Sequence, residues 1–174
     1  MLIILDRDGV INFDSPNYIK SPAEWQAIPG SLEAIVKLQN AGHNMVVATN
    51  QSGIGRHYYS LETLNDIHTK MNQQIINLGG ATLKVYFCPH VPEDNCECRK
   101  PKTGLFLQIQ NDFPHEFSEA IAVGDSARDI AAAHKAGCQA VLVRTGNGPK
   151  TLTELEIKIP VYADLAEFVT RFLS

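Results

Sequence analysis

Asp6 and Asp8, in the run Asp6-Arg7-Asp8-Gly9, follow directly on the apolar segment Leu2–Leu5. Residues two apart on extended backbone point to the same side, so both carboxylates can address one substrate. One can attack as a nucleophile while the other carries a proton, the division of labour that covalent phosphoryl transfer requires. An isolated Asp-x-Asp is more often a solvated loop. Its place at the end of a buried strand weighs against that reading, because a carboxylate at the rim of an apolar core is costly without a partner. Polar groups also end later apolar runs, as Thr49-Asn50 and as Gly124-Asp125. Two aspartates at such ends, with a Thr and a Lys nearby, suggest a metal and phosphate site.

A second cluster is Cys88-x-His90-x5-Cys96-x-Cys98. Three thiols and one imidazole this close suit a closed tetrahedral zinc site. With four protein ligands the metal has no open position, so its expected role is structural: it pins the loop that presents Arg99 and Lys100. A free-thiol loop would need three clustered cysteines by accident, and a disulfide between Cys96 and Cys98 would be strained. Cys138, outside the loop, reads as a small buried core residue.

The elements that must position these groups follow from short apolar runs alternating with amphipathic stretches. Strands are expected at Leu2–Leu5, Met45–Thr49, Leu83–Phe87, Ala120–Val123 and Ala140–Val143. Helices are expected at Ser31–Asn40, with Ser31 as N-cap, and at Leu61–Leu78, Gly104–Asp112, Ala127–Ala136 and Leu165–Leu173. Strands that are apolar throughout, each followed by a helix, imply a parallel sheet covered on both faces. The predicted fold is a doubly wound α/β domain spanning residues 1–174, with a zinc loop at 88–98 and no large cap domain. In such folds ligands bind at the carboxyl ends of the strands, near a switch in strand order. Two long loops interrupt the alternation, Asp14–Pro29 and Cys88–Thr103. Ser21-Pro22-Ala23-Glu24 in the first resembles a capping box and predicts a short helical turn. His68 and His134, on helices, read as surface or packing residues.

The formal net charge of -4, with Lys and Arg scattered, argues against a nucleic-acid partner, which usually leaves a basic stripe. No apolar run is long enough to span a bilayer, and the first residues do not read as a signal peptide. A cytoplasmic monomer is the expectation, with its cysteines as thiols or metal ligands.

Leu5-Asp6-Arg7-Asp8-Gly9-Val10 resembles the first motif of the haloacid dehalogenase superfamily of phosphatases, with Val10 where many members have Thr. Val47-Ala48-Thr49-Asn50 matches the second motif and Lys100 the third, Lys102 being a weaker match. Gly124-Asp125-Ser126-Ala127-Arg128-Asp129 matches the fourth, an acidic pair closing a later strand. The resemblance implies a magnesium-dependent phosphatase with Asp6 as nucleophile, Asp8 as acid and base, and Thr49 and Lys100 on the phosphate oxygens. Magnesium would be held by Asp6, Asp125 and the main-chain carbonyl of Asp8.

The zinc loop is similar to two bacterial branches of that superfamily, heptose 1,7-bisphosphate 7-phosphatases and histidinol-phosphate phosphatases. Thr49-Asn50-Gln51-Ser52-Gly53-Ile54-Gly55-Arg56 resembles the heptose branch, which usually has Gly in place of His57 and often Lys in place of Ser126. By that resemblance a small phosphorylated sugar would meet Asn50, Gln51, Ser52, Arg99 and Ser126. It would also meet Asp14-Ser15-Pro16-Asn17, although those four residues read equally well as an ordinary turn. The heptose branch serves the route to nucleotide-activated heptose for bacterial surface glycans. Histidinol phosphate is the alternative substrate, and a non-catalytic zinc-loop binding protein is the non-enzymatic alternative.

Overall fold

Leu2–Leu5 is buried along its whole length and forms strand β1. In the computed structural model, which describes residues 1–174, the chain continues through α1 (Ser31–Asn40), β2 (Asn44–Asn50), α2 (Leu61–Asn77) and β3 (Lys84–Cys88). Beyond these come α3 (Gly104–Asp112), β4 (Ile121–Gly124), α4 (Ala127–Ala136), β5 (Gln139–Val143), α5 (Gly148–Glu154), β6 (Val161–Tyr162) and α6 (Leu165–Phe172). The strands form one sheet in the order β3-β2-β1-β4-β5-β6. Every pairing is parallel.

The two faces of β1 feed two cores. Ile3 and Leu5 pack with residues of α1, α2 and α6, while Leu2 and Ile4 pack with residues of α3 and α4. Both faces are therefore covered, which accounts for strands that lack polar alternation. The strand order reverses between β1 and β4, so Asp6 and Asp125 emerge side by side at the switch point where such sheets bind ligands.

Asp14–Pro29 is anchored rather than loose. Trp25 is fully buried, and Lys70 Nζ donates to the carbonyls of Pro22 (2.6 Å) and Trp25 (2.8 Å). The expected helical turn forms at Pro22–Glu24, with Ser21 Oγ accepting from the Glu24 N–H. The Glu24 carboxylate turns instead to the N–H of Lys20, so only half of the capping box forms.

Ser31 is not the N-cap of α1. Gly30, at φ +84°, takes that position, and the Ser31 hydroxyl donates to the Ile11 carbonyl at 2.6 Å, tying the helix to the loop after β1. Elements α5 and β6 were not expected. Gly148-Pro149 reads as a turn, and a two-residue edge strand carries no periodic signal. No helix is long and apolar enough to cross a membrane.

Candidate active site

The floor of the site is a buried ion cluster. Lys100 Nζ lies 3.0 Å from Asp6 Oδ1 and 2.7 Å from Asp129 Oδ1, and it donates to the Ala48 carbonyl at 2.7 Å. Asn50 holds the Lys100 backbone from both directions: Nδ2 donates to its carbonyl and Oδ1 accepts from its N–H. The expected substrate contact Asn50 is therefore a clamp on Lys100, while still lining the cavity. Burial works against the Lys100 charge, but Asp129 and Asp6 more than offset it and raise its pKa. Asp129 is held low by Lys100 despite burial. Both of its oxygens are engaged, since Oδ2 accepts from the Ser126 N–H and hydroxyl. Ser126 in turn caps α4.

Asp8 sits above Asp6 in a tight cradle. Arg7, wholly buried, forks onto it through Nε (3.1 Å) and Nη2 (2.8 Å). Asn12 Nδ2 and Gln51 Nε2 each donate to it at 2.8 Å. Burial would raise its pKa, yet Arg7 and these hydrogen bonds bring it below the usual carboxylate range. Gln51 also donates to Thr49 Oγ1 and accepts from the Tyr59 hydroxyl, so its amide orients two site residues at once.

Asp125 is positioned by the loop after β5. The N–H of Asn147 donates to Asp125 Oδ2 at 2.7 Å, and its Nδ2 reaches both Asp125 and Asp14. Gly9 (φ +85°) and Gly146 (φ +55°) press against the same carboxylate, and a Cβ on either would collide with Asp125 Oδ2. Burial and the neighbouring Asp129 push Asp125 up to about 7. Burial, then Asp129 and Asp125, raise Asp6 against the pull of Lys100.

Burial is the largest cause of both shifts, and the crowding of carboxylates adds to it. Asp6, Asp125 and Asp129 offer carboxylate oxygens within 4.8 Å of one another, and three carboxylates against the single Lys100 ammonium leave two negative charges. A hard divalent cation with oxygen ligands fits that deficit. Asp129 is saturated by Lys100 and Ser126. Asp6 Oδ2 and Asp125 Oδ1 make no hydrogen bond, which leaves these two carboxylates the better donors.

Above the floor opens a cavity of about 370 Å³ whose walls are almost wholly polar. Of the expected residues it gathers Asp6, Asp8, Asp14, Ser15, Pro16, Thr49, Asn50, Gln51, Ser52, Arg99, Lys100, Asp125 and Ser126. Asn17 is not on its walls: its N–H bonds Ser15 Oγ and its carbonyl takes Lys20. Lys102 lies outside too, paired with Glu97 at 2.9 Å. Asp129, which closes the acidic fourth motif, also lines the cavity, as do Arg56, Arg128 and Asn147, to which the motifs give no individual role. Arg56, Arg99 and Arg128 form a cationic rim. The Arg99 pKa is lowered by burial and then by the Arg128 and Arg56 charges. Asp129 had a visible signal, a Ser-x-x-Asp capping box opening a helix; the arginines, scattered in sequence, had none.

Cys88, His90, Cys96 and Cys98, the expected zinc ligands, come together. Cys98 Sγ lies 3.1 Å from Cys88 Sγ and 3.2 Å from His90 Nδ1, while Cys96 Sγ lies 3.6 Å from each of the other two thiols. A tetrahedral zinc with bonds of about 2.0–2.3 Å implies edges of about 3.5–3.8 Å. The cluster is slightly contracted from that figure and matches it in donor chemistry. Arg99 and Lys100 follow it directly. Cys138 is buried and His134 exposed, both as expected.

Residues 97–168 match the HAD-hydrolase-like family. The D-glycero-β-D-manno-heptose-1,7-bisphosphate 7-phosphatase of Bordetella bronchiseptica is 50% identical over 153 residues, which cover 88% of this chain and 86% of that protein. Its counterpart from Pseudomonas aeruginosa is 46% identical, covering 99% of this chain and 98% of that protein. Among solved structures, the D,D-heptose 1,7-bisphosphate phosphatase of B. bronchiseptica, crystallised with magnesium and phosphate, superposes with a TM-score of 0.96. It is 46% identical and covers 99% of this chain and 97% of that one. The Burkholderia thailandensis enzyme gives a TM-score of 0.77 at 39% identity, covering 99% and 98%.

Proposed function

The chain belongs to the D-glycero-D-manno-heptose-1,7-bisphosphate 7-phosphatase family of haloacid dehalogenase-like hydrolases, and on that premise we propose that it removes the 7-phosphate of D-glycero-β-D-manno-heptose 1,7-bisphosphate. One observation carries the substrate assignment: a single cavity is lined both by Lys100, paired with Asp6, and by a second cationic group of Arg56, Arg99 and Arg128. Lys100 and Thr49 face the phosphate to be cleaved, and the Arg56–Arg99–Arg128 rim faces a second anion. Histidinol phosphate carries a primary amine, which that rim would repel.

Asp6 attacks phosphorus and becomes an acyl phosphate, breaking the bond to the sugar oxygen. Asp8, a carboxylate in the free protein, relays to that oxygen the proton that a phosphate monoanion brings, then takes one from the water that hydrolyses the phospho-aspartate. Lys100 and the Thr49 hydroxyl bind the non-bridging oxygens, where charge must be stabilised. Asp129 and Asn50 hold Lys100 in place for this. Asp6, Asp125 and the Asp8 carbonyl are the residues that would hold magnesium, whose charge lessens the repulsion between carboxylate and phosphate. Cys88, His90, Cys96 and Cys98 are the residues that would hold a structural zinc, which would fix the loop that carries Arg99 and Lys100. Asp14, Ser15, Pro16, Ser52 and Ser126 shape the sugar site in the absence of a cap. The protein acts as a cytoplasmic monomer on a small phosphorylated sugar. A reduced thiol set suits that compartment, and scattered basic residues give no footing to a nucleic acid.

The test is phosphate release, with magnesium, from the two anomers of heptose 1,7-bisphosphate and from histidinol phosphate. A higher kcat/KM for the β-bisphosphate is expected. Preference for histidinol phosphate would move the protein to the other branch with its chemistry intact.

A further inference from the structure

His68 is the only buried histidine in the chain, and the mechanism above does not use it. It lies on the apolar stripe of α2 with Leu64, Ile67, Met71 and Ile75, a spacing that alone signals packing. Its Nε2, however, sits 3.2 Å from Nη1 of Arg7. A guanidinium has donors only, so Nε2 must accept, and the ring is neutral with its proton on Nδ1. Burial, then the Arg7 charge, hold the His68 pKa down at about 4, which keeps that acceptor available at neutral pH.

The consequence falls on Asp8. Arg7 has no solvent exposure, so water cannot substitute for a lost partner. Its Nε and Nη2 hold Asp8, and Nη1 is held by His68. Without the His68 acceptor, Nη1 would be a buried unpaired donor on a charged group, a costly state that favours rotation of the fork toward another acceptor. Rotation would turn the Asp8 carboxyl with it, because Arg7 contacts both Asp8 oxygens.

We infer that His68 is a positioning residue for proton transfer, locking the Arg7 fork so that Asp8 faces the leaving oxygen of the substrate. The inference rests on the reading of Asp8 as proton carrier. It predicts a defect that depends on the leaving group. A sugar alkoxide leaves only with a proton, whereas nitrophenolate leaves without one.

The experiment measures single-turnover release of the leaving alcohol from heptose 1,7-bisphosphate and from p-nitrophenyl phosphate, in the magnesium-loaded enzyme. His68→Leu should slow sugar release by about 10- to 100-fold, the range expected for a misaligned catalytic group, while leaving the nitrophenol burst unchanged. His68→Gln, whose amide oxygen can accept from Arg7, should restore sugar release. Equal slowing of both substrates, or of neither, would overturn the inference. Asp8→Asn separates the two layers. If it distinguishes the leaving groups and His68→Leu does not, His68 alone loses its role; if Asp8→Asn does not distinguish them, both readings fall. Should His68→Leu fail to fold, imidazole ¹⁵N shifts of the unmodified protein decide. The Nδ1–H tautomer with a bare Nε2 is expected, and a protonated Nε2 would refute the contact on which the inference stands.

Discussion

Removing the Arg99 guanidinium should cost the bisphosphate substrate far more than a monophosphate. Arg99 is half-buried at the mouth of the cavity, with Nη1 lying 3.4 Å from the His90 carbonyl. That weak contact leaves most of the fork available to a ligand. A hydrogen bond to a charged group contributes about 1.5–3 kcal/mol. Partial exposure and the nearby Arg56 and Arg128, which can take up part of the load, point to the lower end, about 1.5–2 kcal/mol. At about 1.4 kcal/mol per factor of ten, Arg99→Ala should lower kcat/KM for heptose 1,7-bisphosphate by about 10- to 30-fold, mostly through KM. Heptose 7-phosphate has the same leaving group and lacks only the second phosphate, so its kcat/KM should scarcely change. The assay is continuous phosphate release on the two substrates. Because rim charges are screened, the gap between wild type and variant should narrow in high salt. Equal losses on both substrates would refute the reasoning and leave Arg99 as a structural part of the zinc loop.

Three further outcomes are expected. Gly146→Ala places a Cβ on Asp125 Oδ2 and 2.7 Å from Gly9 Cα, so the magnesium concentration for half-maximal activity should rise by about tenfold or more; an unchanged requirement would argue against Asp125 as a ligand. Since Asp125 is pushed up to about 7 while an unfolded Asp titrates near about 4, the magnesium-free folded state binds more protons between those values and loses stability as pH rises. Freed of magnesium with zinc retained, the protein should melt higher at about pH 6 than at about pH 8, and magnesium should stabilise it more at the higher pH; the reverse order would contradict the charge deficit at the site. Stripping zinc in excess magnesium should lower the melting temperature before phosphate release declines, and unchanged melting with full activity would rule out a structural metal at Cys88, His90, Cys96 and Cys98.

The sheet was legible because β1, β2, β4 and β5 are apolar on both faces, and the chemistry was legible because its residues sit where those runs stop. Asp6, Thr49 and Asp125 are strand-end residues, and the strand order brings them together. Periodicity did not reveal what was set by contacts between distant segments. Arg56 and Arg128 lie far apart in the chain and meet Arg99 only across the cavity. Asn147 reaches Asp125 from a loop whose helix opens with Gly-Pro and reads as a turn. Ser31 looked like a cap by type, but its hydroxyl found the Ile11 carbonyl instead. His68 followed the apolar period of α2 while serving a polar partner, and no spacing rule separates those two situations.

The most direct test of the account is to trap the covalent intermediate. Asp8→Asn removes the base that should activate water, so the phosphoenzyme should accumulate on mixing with p-nitrophenyl phosphate and magnesium, because nitrophenolate leaves without the proton that Asp8 supplies to a sugar oxygen. Acid quenching followed by peptide mass spectrometry should place the phosphate on Asp6, in a form cleaved by hydroxylamine as an acyl phosphate is. Asp6→Asn should carry no phosphate, turn over nothing and keep its fold. Phosphate found on another residue, or an Asp6→Asn protein that still releases phosphate, would contradict the central claim.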